Sequence, residues 1–470
     1  MHPPISSQRR GERGQTILLV AVSMIALLAM AALAIDVVTL YVARTEIQRA
    51  ADAAALAGAK AIADSGLTSL PTGDPNFASG QVQTLAQSMA TSAINAVLST
   101  NLVGASAPVL VGAPTFNFGA GAVNDPRVTV TLQQPNLPTF FARIFGRTTV
   151  SVQASATAEA YNPSNQSSPF AFTPIAPKCV KPWLVANKDP VSPPASFVDA
   201  TTGAVEANPT GSPTGSVIGE NFYLEADCNP VTSCSLVDNP PRVVPSARAP
   251  APTVEYVPAT VLFNPNNICP SCGASLGDLE NSVMCCDVNP FVDGGVAVPA
   301  VMSCGGAGGG GPYHVQWDAG AIPSGAAAES ASGAVCLTHA ASVGMDQGQD
   351  KLDPITWPTN PLTITAGTSS PFASKKVTTS SSIVTIPIID TSALIPPNGG
   401  NVTIIGYLQG FINCVSDGAN PCVGSSIGNA GDIQITVLNI VGCSSNPNTA
   451  PPVVGGMGTS PVPVRLITPP

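Results

Sequence analysis

The sequence predicts an α+β protein: an N-terminal transmembrane helix continuing into a long helical stalk, then a mostly β, loop-rich, disulfide-stabilised exported domain. Three observations carry this. Residues 16–35 are an uncharged, largely apolar run of twenty, about what one helix needs to cross a ~30 Å hydrocarbon core at ~1.5 Å per residue. Good helix formers continue through Gln48-Arg49-Ala50-Ala51-Asp52-Ala53-Ala54-Ala55-Leu56-Ala57-Gly58-Ala59 with no turn signal. Beyond residue 100 the chain changes character, with short β-branched runs among most of its 43 Gly and 47 Pro, and with all 12 cysteines.

The flanks of the apolar run set its orientation. Arg9, Arg10 and Arg13 precede it, opposed only by Glu12, and positive charge is retained on the cytoplasmic side. The expected arrangement is a cytoplasmic tail over 1–15, a span over 16–35 and a single pass that leaves the rest outside. Ala32-Leu33-Ala34 offers a competing small-x-small cleavage pattern, which would release a soluble exported adhesin or hydrolase after cutting near Ala34. The run exceeds the usual ~7–15-residue core of a signal peptide, and helix formers continue through the cut point. Asp36 stands where the run ends and is read as a membrane-boundary residue, close enough to interfacial water to stay solvated.

Over the stalk, 36–63, Leu40, Ala43, Ile47, Ala50, Ala54, Ala57 and Ala61 recur at spacings of three and four, with Arg44, Gln48, Arg49 and Asp52 off that stripe. A small apolar face permits close helix approach. Leu40, Ile47, Ala50, Ala54 and Ala57 are therefore candidate contacts for a partner helix or for self-association; the same face suits packing on the chain's own body.

Residues 64–161 read as an α+β region. After the turn signals Asp64-Ser65-Gly66 and Pro71-Thr72-Gly73-Asp74-Pro75, residues 81–98 suit a second helix with Val82, Leu85, Met89, Ala93 and Val97 on one side. Strands are expected over 109–118, 127–132 and 148–158. Between the last two lies the aromatic, basic segment Leu137-Pro138-Thr139-Phe140-Phe141-Ala142-Arg143-Ile144-Phe145-Gly146, expected to cap the sheet, with docking near the membrane surface the other reading. Residues 162–374 form a Pro/Gly/Cys-rich insertion holding nine of the twelve cysteines. The C-terminal β region, 375–470, carries strand patterns at 382–389, 402–413, 432–441 and 462–467, expected to complete the sheet begun before Tyr161.

An even number of cysteines confined to the exported side fits disulfides made in an oxidising compartment. Cys228 with Cys234, and Cys414 with Cys422, are candidate local pairs; spacing alone does not give the connectivity. Without Arg9, Arg10, Arg13 and Glu12 the chain keeps 15 basic and 27 acidic residues, a formal −12. That balance, with no basic cluster interleaved with aromatics, excludes a nucleic-acid partner. The bilayer is the expected partner of the span.

No catalytic, cofactor or metal residue is assigned. Gly273-Ala274-Ser275-Leu276-Gly277 has the nucleophile-elbow string but neither the preceding strand nor the following helix. The glycine run 305–311 is followed by Pro312-Tyr313 rather than a helix to cradle phosphate. Cys269-Pro270-Ser271-Cys272 with Cys285-Cys286 and His314 has poor zinc-ligand geometry in its second half. Asp346, Asp350 and Asp353 lack a full calcium ligand set, which leaves a solvated acidic turn. The chain is read as non-enzymatic.

Gly14-Gln15, the apolar span, Asp36, Leu40-Tyr41 and the run from Ile47 to Ala59 resemble the N-terminal segment of TadG-like (TadE/TadG) Flp, or tight-adherence, pilus-assembly proteins. Roughly 12–63 carries the resemblance. Pro138-Thr139-Phe140-Phe141-Ala142-Arg143-Ile144-Phe145-Gly146 followed by Val150-Ser151-Val152-Gln153 is similar to that family's strand-aromatic-strand region. The resemblance implies a bacterial inner-membrane protein with a periplasmic body, working with other pilus-assembly proteins. Some relatives carry a von Willebrand A domain with an Asp-x-Ser-x-Ser metal site; Asp390-Thr391-Ser392-Ala393-Leu394 lacks the second serine, so no such site is carried over.

Overall fold

The computed structural model describes residues 12–71, 73–118, 126–160, 177, 179–200, 205–207, 212, 214–227, 243–244, 252–262, 269–270, 277–300, 314–317, 326–339, 348–392, 394–396, 399–419, 422, 430–442, 462 and 464–467. Its spine is α1 (Glu12–Asp64), 53 residues of unbroken helix, about 80 Å long at ~1.5 Å per residue. Span and stalk are thus one helix, as the uninterrupted helix formers predict. A 3-10 turn, Leu67–Ser69, ends it through Gly66 at φ +83°. Asp74 caps α2 (Pro75–Ala78) by accepting from the Asn76 amide at 2.8 Å. Then α3 (Gln81–Leu98) packs on α1 with Val82, Leu85, Ala86, Ala90, Ile94 and Leu98 buried, the 3–4 spacing of an amphipathic helix.

The first sheet is built on a long hairpin. Its strands are β1 (Val109–Leu110), β2 (Thr115–Asn117), β3 (Arg127–Pro138) and β4 (Thr149–Ala160). Arg127 faces Glu159 and Pro138 faces Thr149, with a bulge between Gln134 and Leu137. On β3, Val128, Val130 and Leu132 are buried. Thr129 and Thr131 alternate with them and meet Thr157 and Ser155 across the strands at 2.8 and 3.1 Å.

The insertion and C-terminal region hold β5 (Trp183–Ala186), β6 (Asn221–Ala226), β7 (Val243–Val244), β8 (Thr253–Pro258), α4 (Asp278–Met284), β9 (Phe291–Asp293), β10 (Val296–Val298), β11 (His314–Trp317), α5 (Ala326–Thr338), β12 (Lys351–Leu352), β13 (Ile364–Thr365), β14 (Lys376–Val377), β15 (Ile383–Ile389), β16 (Gly400–Val415), β17 (Ile433–Gly442) and β18 (Val464–Ile467). Pairing runs β16-β15-β5-β8-β6-β17 and returns to β16, closing a six-strand ring that has no free edge among those strands. Its core includes Trp183, Phe222, Tyr256, Ile386 and Leu408. Beyond the ring strands, α4 and α5 touch so closely that a Cβ on Gly333 would lie 2.8 Å from the Glu280 carbonyl oxygen, and Trp183 of the core donates to Ser330 of α5 at 3.2 Å.

The C-terminal strands divide between two sheets. Only β18 joins the first sheet, pairing antiparallel with β4 from Val464↔Ala160 to Ile467↔Thr157. The others, β15, β16 and β17, close the ring with β5, β6 and β8 from the insertion. The insertion therefore supplies three strands of a barrel as well as carrying disulfides. Its strands are short and buried on both faces, so they lack the alternation that marks a half-exposed strand.

Stalk and barrel share a core. Trp357 donates its indole N–H to the Ser65 carbonyl at 2.7 Å, and the Ile440 amide on β17 donates to the Ser69 hydroxyl at 3.0 Å. Disulfides join Cys179 to Cys286, Cys269 to Cys285 and Cys414 to Cys422. Among the described residues no cysteine is free.

Candidate functional site

The candidate residues of the span and stalk lie on α1, whose two halves have opposite surroundings. From Ile17 to Ile35 the large apolar side chains stand exposed, with Ile17 at 72% and Leu28 at 65%. Among the described residues this is the one helix long and apolar enough to cross a membrane. From Ala43 onward one side is buried: Ala43, Ile47, Ala50, Ala51, Ala54, Ala55, Ala59 and Ile62 are at most 5% exposed.

Those residues face β4, β3, α3 and β18 of the same chain. Of the residues expected to meet a partner, Ile47, Ala50 and Ala54 lie in this internal contact, Leu40 packs at its margin, half-buried, and Ala57 is half-buried. The face is also wider than the predicted stripe, because Ala51, Ala55 and Ala59 are enclosed as well. A sheet on one flank and α3 on the other cover two adjoining sides of the helix, which a single 3–4 stripe does not describe. Gly58 marks the closest approach: a Cβ there would sit 3.0 Å from Ile94 and 3.2 Å from Val128. Small residues serve here to bring a sheet and a helix onto the stalk together.

Asp36 acquires a partner that its position at the end of the span does not announce. Its side chain is 3% exposed. One carboxylate oxygen accepts from the Phe140 amide at 2.8 Å; the other accepts from Phe141 and Ala142 at 3.0 and 2.6 Å. These three N–H groups lead into the 3-10 turn Ala142–Phe145 at the tip of the β3–β4 hairpin. Such donors are among the orphans of a helical start, and an ionised carboxylate is their strongest acceptor. The tip closes on itself as Thr139 N donates to Thr148 O at 3.2 Å and Arg147 N to Ala142 O at 3.1 Å. Asp36 therefore fastens the hairpin tip to the helix where the apolar run ends. The missed signal was the acid together with the aromatic segment, two features read separately.

Residues 14–61 match the model of a family described as putative Flp pilus-assembly TadE/G-like. The N-terminal segment is TadE/G-like. The match covers the span and stalk, the same helix that carries Asp36 and the buried alanine face. No curated protein and no solved structure matches the chain.

The other predicted positions carry structural contacts or fall outside the described residues. Cys414 and Cys422 are paired as expected; Cys228 and Cys234 lie outside the described residues, as do Ser275, the glycine run 305–311 and Asp346. The adjacent Cys285 and Cys286 go to different partners, Cys269 and Cys179, so Cys269 is spent on a disulfide rather than left as a zinc thiolate. Asp350 accepts from the Gly367 amide at 2.8 Å and from the Ser380 hydroxyl at 2.5 Å. Asp353 takes Lys376, Thr363 and Thr365; the Lys376 ammonium leads in holding its carboxyl below the usual range. Among the described residues no group of three or more His, Cys, Asp or Glu is placed to hold a metal. Asp390 accepts from the Ser392 amide at 2.9 Å in a local turn after β15.

A cluster of carboxyl groups is buried near the start of β6. Glu220 and Asp189 are fully buried beside Glu206. Burial, reinforced by the charges of Asp189 and Glu206, pushes the Glu220 carboxyl up to about 10. Burial and its bond to Asp189 raise Glu206 in the same way. Asp189 also accepts from the Val191 and Ser192 amides at 2.8 and 3.2 Å. These neighbouring carboxyl groups lie between the turn before β6 and the segment after β5.

Proposed function

We propose that the protein is a membrane-anchored, non-enzymatic component of a bacterial tight-adherence (Flp-type) pilus assembly or secretion system, with its N-terminus in the cytoplasm and its β-rich body in the periplasm. The observation that carries this reading is that the TadE/G-like match, residues 14–61, falls on one continuous helix with an exposed apolar half and a half built into the body. The charges of Arg9, Arg10 and Arg13 support the orientation, and the disulfides support an oxidising compartment. Because Ile47, Ala50 and Ala54 face the chain's own sheet and α3, contacts with other pilus-assembly proteins fall to the exposed span and to the outer surface of the body.

The test combines fractionation, thiol labelling and a piliation assay on a deletion strain. The reading expects an intact tail in the inner-membrane fraction, no thiol labelling before reduction, and loss of pili restored by the wild-type chain. A mature chain beginning at Ile35 in the soluble fraction, or normal piliation in the deletion strain, would overturn it.

A further inference from the structure

Among the described residues of the body, the hairpin tip that Asp36 holds groups three exposed large apolar side chains close to the span. Phe140 is 58% exposed, Phe141 37% and Ile144 76%, with Arg143, Gly146 and Arg147 also exposed around them. Large apolar side chains left in water at a loop tip call for a covering surface.

Their height along α1 identifies that surface. The tip is bonded to Asp36, immediately after the twenty-residue run 16–35. The outer face of α1 stays apolar past this point, through Val37, Val38, Tyr41 and Val42, all exposed. The first exposed charged residue after Asp36 is Arg44, eight residues on and therefore about 12 Å farther along the helix axis at ~1.5 Å per residue. The tip thus lies on the membrane side of the level where the helix itself becomes polar. Aromatic and aliphatic side chains at that depth, rimmed by arginines, have the composition of an interfacial anchor, with apolar groups at the acyl boundary and cations at the phosphates.

We propose that the β3–β4 tip is a second membrane contact, inserting Phe140, Phe141 and Ile144 into the outward-facing interface of the bilayer, with Arg143 and Arg147 on anionic phospholipid headgroups. The occupant is lipid because the patch continues the exposed apolar surface of the span. Asp36 then has a mechanical role: by gripping three amides of the tip it fixes the depth and tilt of the body relative to the helix. A body anchored at two points is held in one orientation on the membrane, whereas a single helix lets it swivel.

The test uses the full-length protein in lipid nanodiscs, with tryptophan as a depth reporter. Trp183, Trp317 and Trp357 are buried and give a constant background. Leu28→Trp reports the span, and Ile144→Trp the tip, with Phe141→Trp as its alternate if the first fails to fold. Lipids brominated near the carbonyl end of the acyl chain should quench the tip tryptophan more than lipids brominated at mid-chain, with its emission shifted to the blue. Leu28→Trp should show the opposite preference. Adding phosphatidylglycerol should deepen the tip quenching, and Arg143→Gln with Arg147→Gln should abolish that gain. Water-like emission from both tip reporters, unaffected by either bromine position while Leu28→Trp is quenched, would overturn the proposal and leave the anchor intact. An unquenched Leu28→Trp would remove the span and the proposal together. A tip quenched equally with and without phosphatidylglycerol would overturn the role given to the arginines.

Discussion

Asp36 and Ala142, 106 residues apart in sequence, meet at 2.6 Å where the apolar helix emerges into the folded body. An acid at the edge of a span is usually explained by access to water. Here the carboxylate is buried and water is replaced by three backbone donors. Asp36→Ala should therefore expose the Phe140, Phe141 and Ala142 amides to exchange while leaving the α1 amides after Ala43 protected. Asp36→Asn should give an intermediate result, because a neutral amide oxygen is a weaker acceptor. Amide exchange resolved at those residues checks both, and unchanged protection in Asp36→Ala would contradict the contact.

Much of α1 and of the first sheet was legible because periodicity survives there: the apolar run is uninterrupted, and β3 alternates Val128, Val130 and Leu132 with threonines. The depth of the stalk's burial was not legible. Ala51 and Ala55 lie beside the 3–4 stripe and become core only because β4 and α3 flank the helix together. The barrel was hidden for another reason. Trp183-Leu184-Val185-Ala186 is a four-residue apolar run beside prolines, and it becomes a strand through distant partners, Tyr256–Pro258 and Ile388–Ile389. Asp36 was singled out as a boundary, but its partner required a long-range contact that no local pattern encodes.

The stalk face supplies a second prediction. Ala54 is fully buried between sheet and helix, so Ala54→Leu should overpack the core and cost about 1–3 kcal/mol. Arg49→Leu, at an exposed position of the same helix, should change stability by no more than about 0.5 kcal/mol. Denaturant unfolding in detergent compares them. Equal midpoints would mean that the alanine face is not packed on the body.

A buried charge fastens the last strand. Glu159 has no exposed surface and accepts from Arg127 at 3.1 Å and from Arg465 of β18 at 2.6 Å. Both arginines keep some contact with water, so Glu159→Gln should cost about 1–3 kcal/mol, less than the ~3–5 kcal/mol of a fully buried broken pair. The loss should be local, with amides of β18 gaining exchange before those of β3. Uniform destabilisation of both strands would argue against Glu159 as the clasp.

Cys179 and Cys286 close a loop of 107 residues, which restricts the unfolded chain far more than the eight-residue separation of Cys414 and Cys422. Replacing both members of the long pair by serine should lower stability by about 2–5 kcal/mol, and the short pair should cost less. Midpoints of the two double variants, measured without reductant, decide the order. A larger loss from the short pair would show that local strand ends, rather than loop closure, dominate.

Acidity provides the last prediction, and its sign follows from proton counting. In the fold Glu220 keeps its proton up to about pH 10, whereas the unfolded chain releases it near the ordinary value of 4.5. Between those values the folded state holds more protons, so stability contributed by Glu220 is complete below about 4.5 and falls as pH rises. Glu206, also raised, acts in the same direction. Lys181, buried with its ammonium donating to the Cys285 carbonyl at 3.0 Å, is lowered by desolvation to about 7 from 10.5. There the unfolded chain holds the extra proton, and stability rises with pH across about 7 to 10.5. The acids are unopposed by Lys181 only between about 4.5 and 7, so the difference between wild type and Glu220→Gln should be sought in that window. Unfolding midpoints should decline with pH there in wild type and decline less in the variant. Parallel curves would mean that Glu220 ionises in the fold as it does in the open chain.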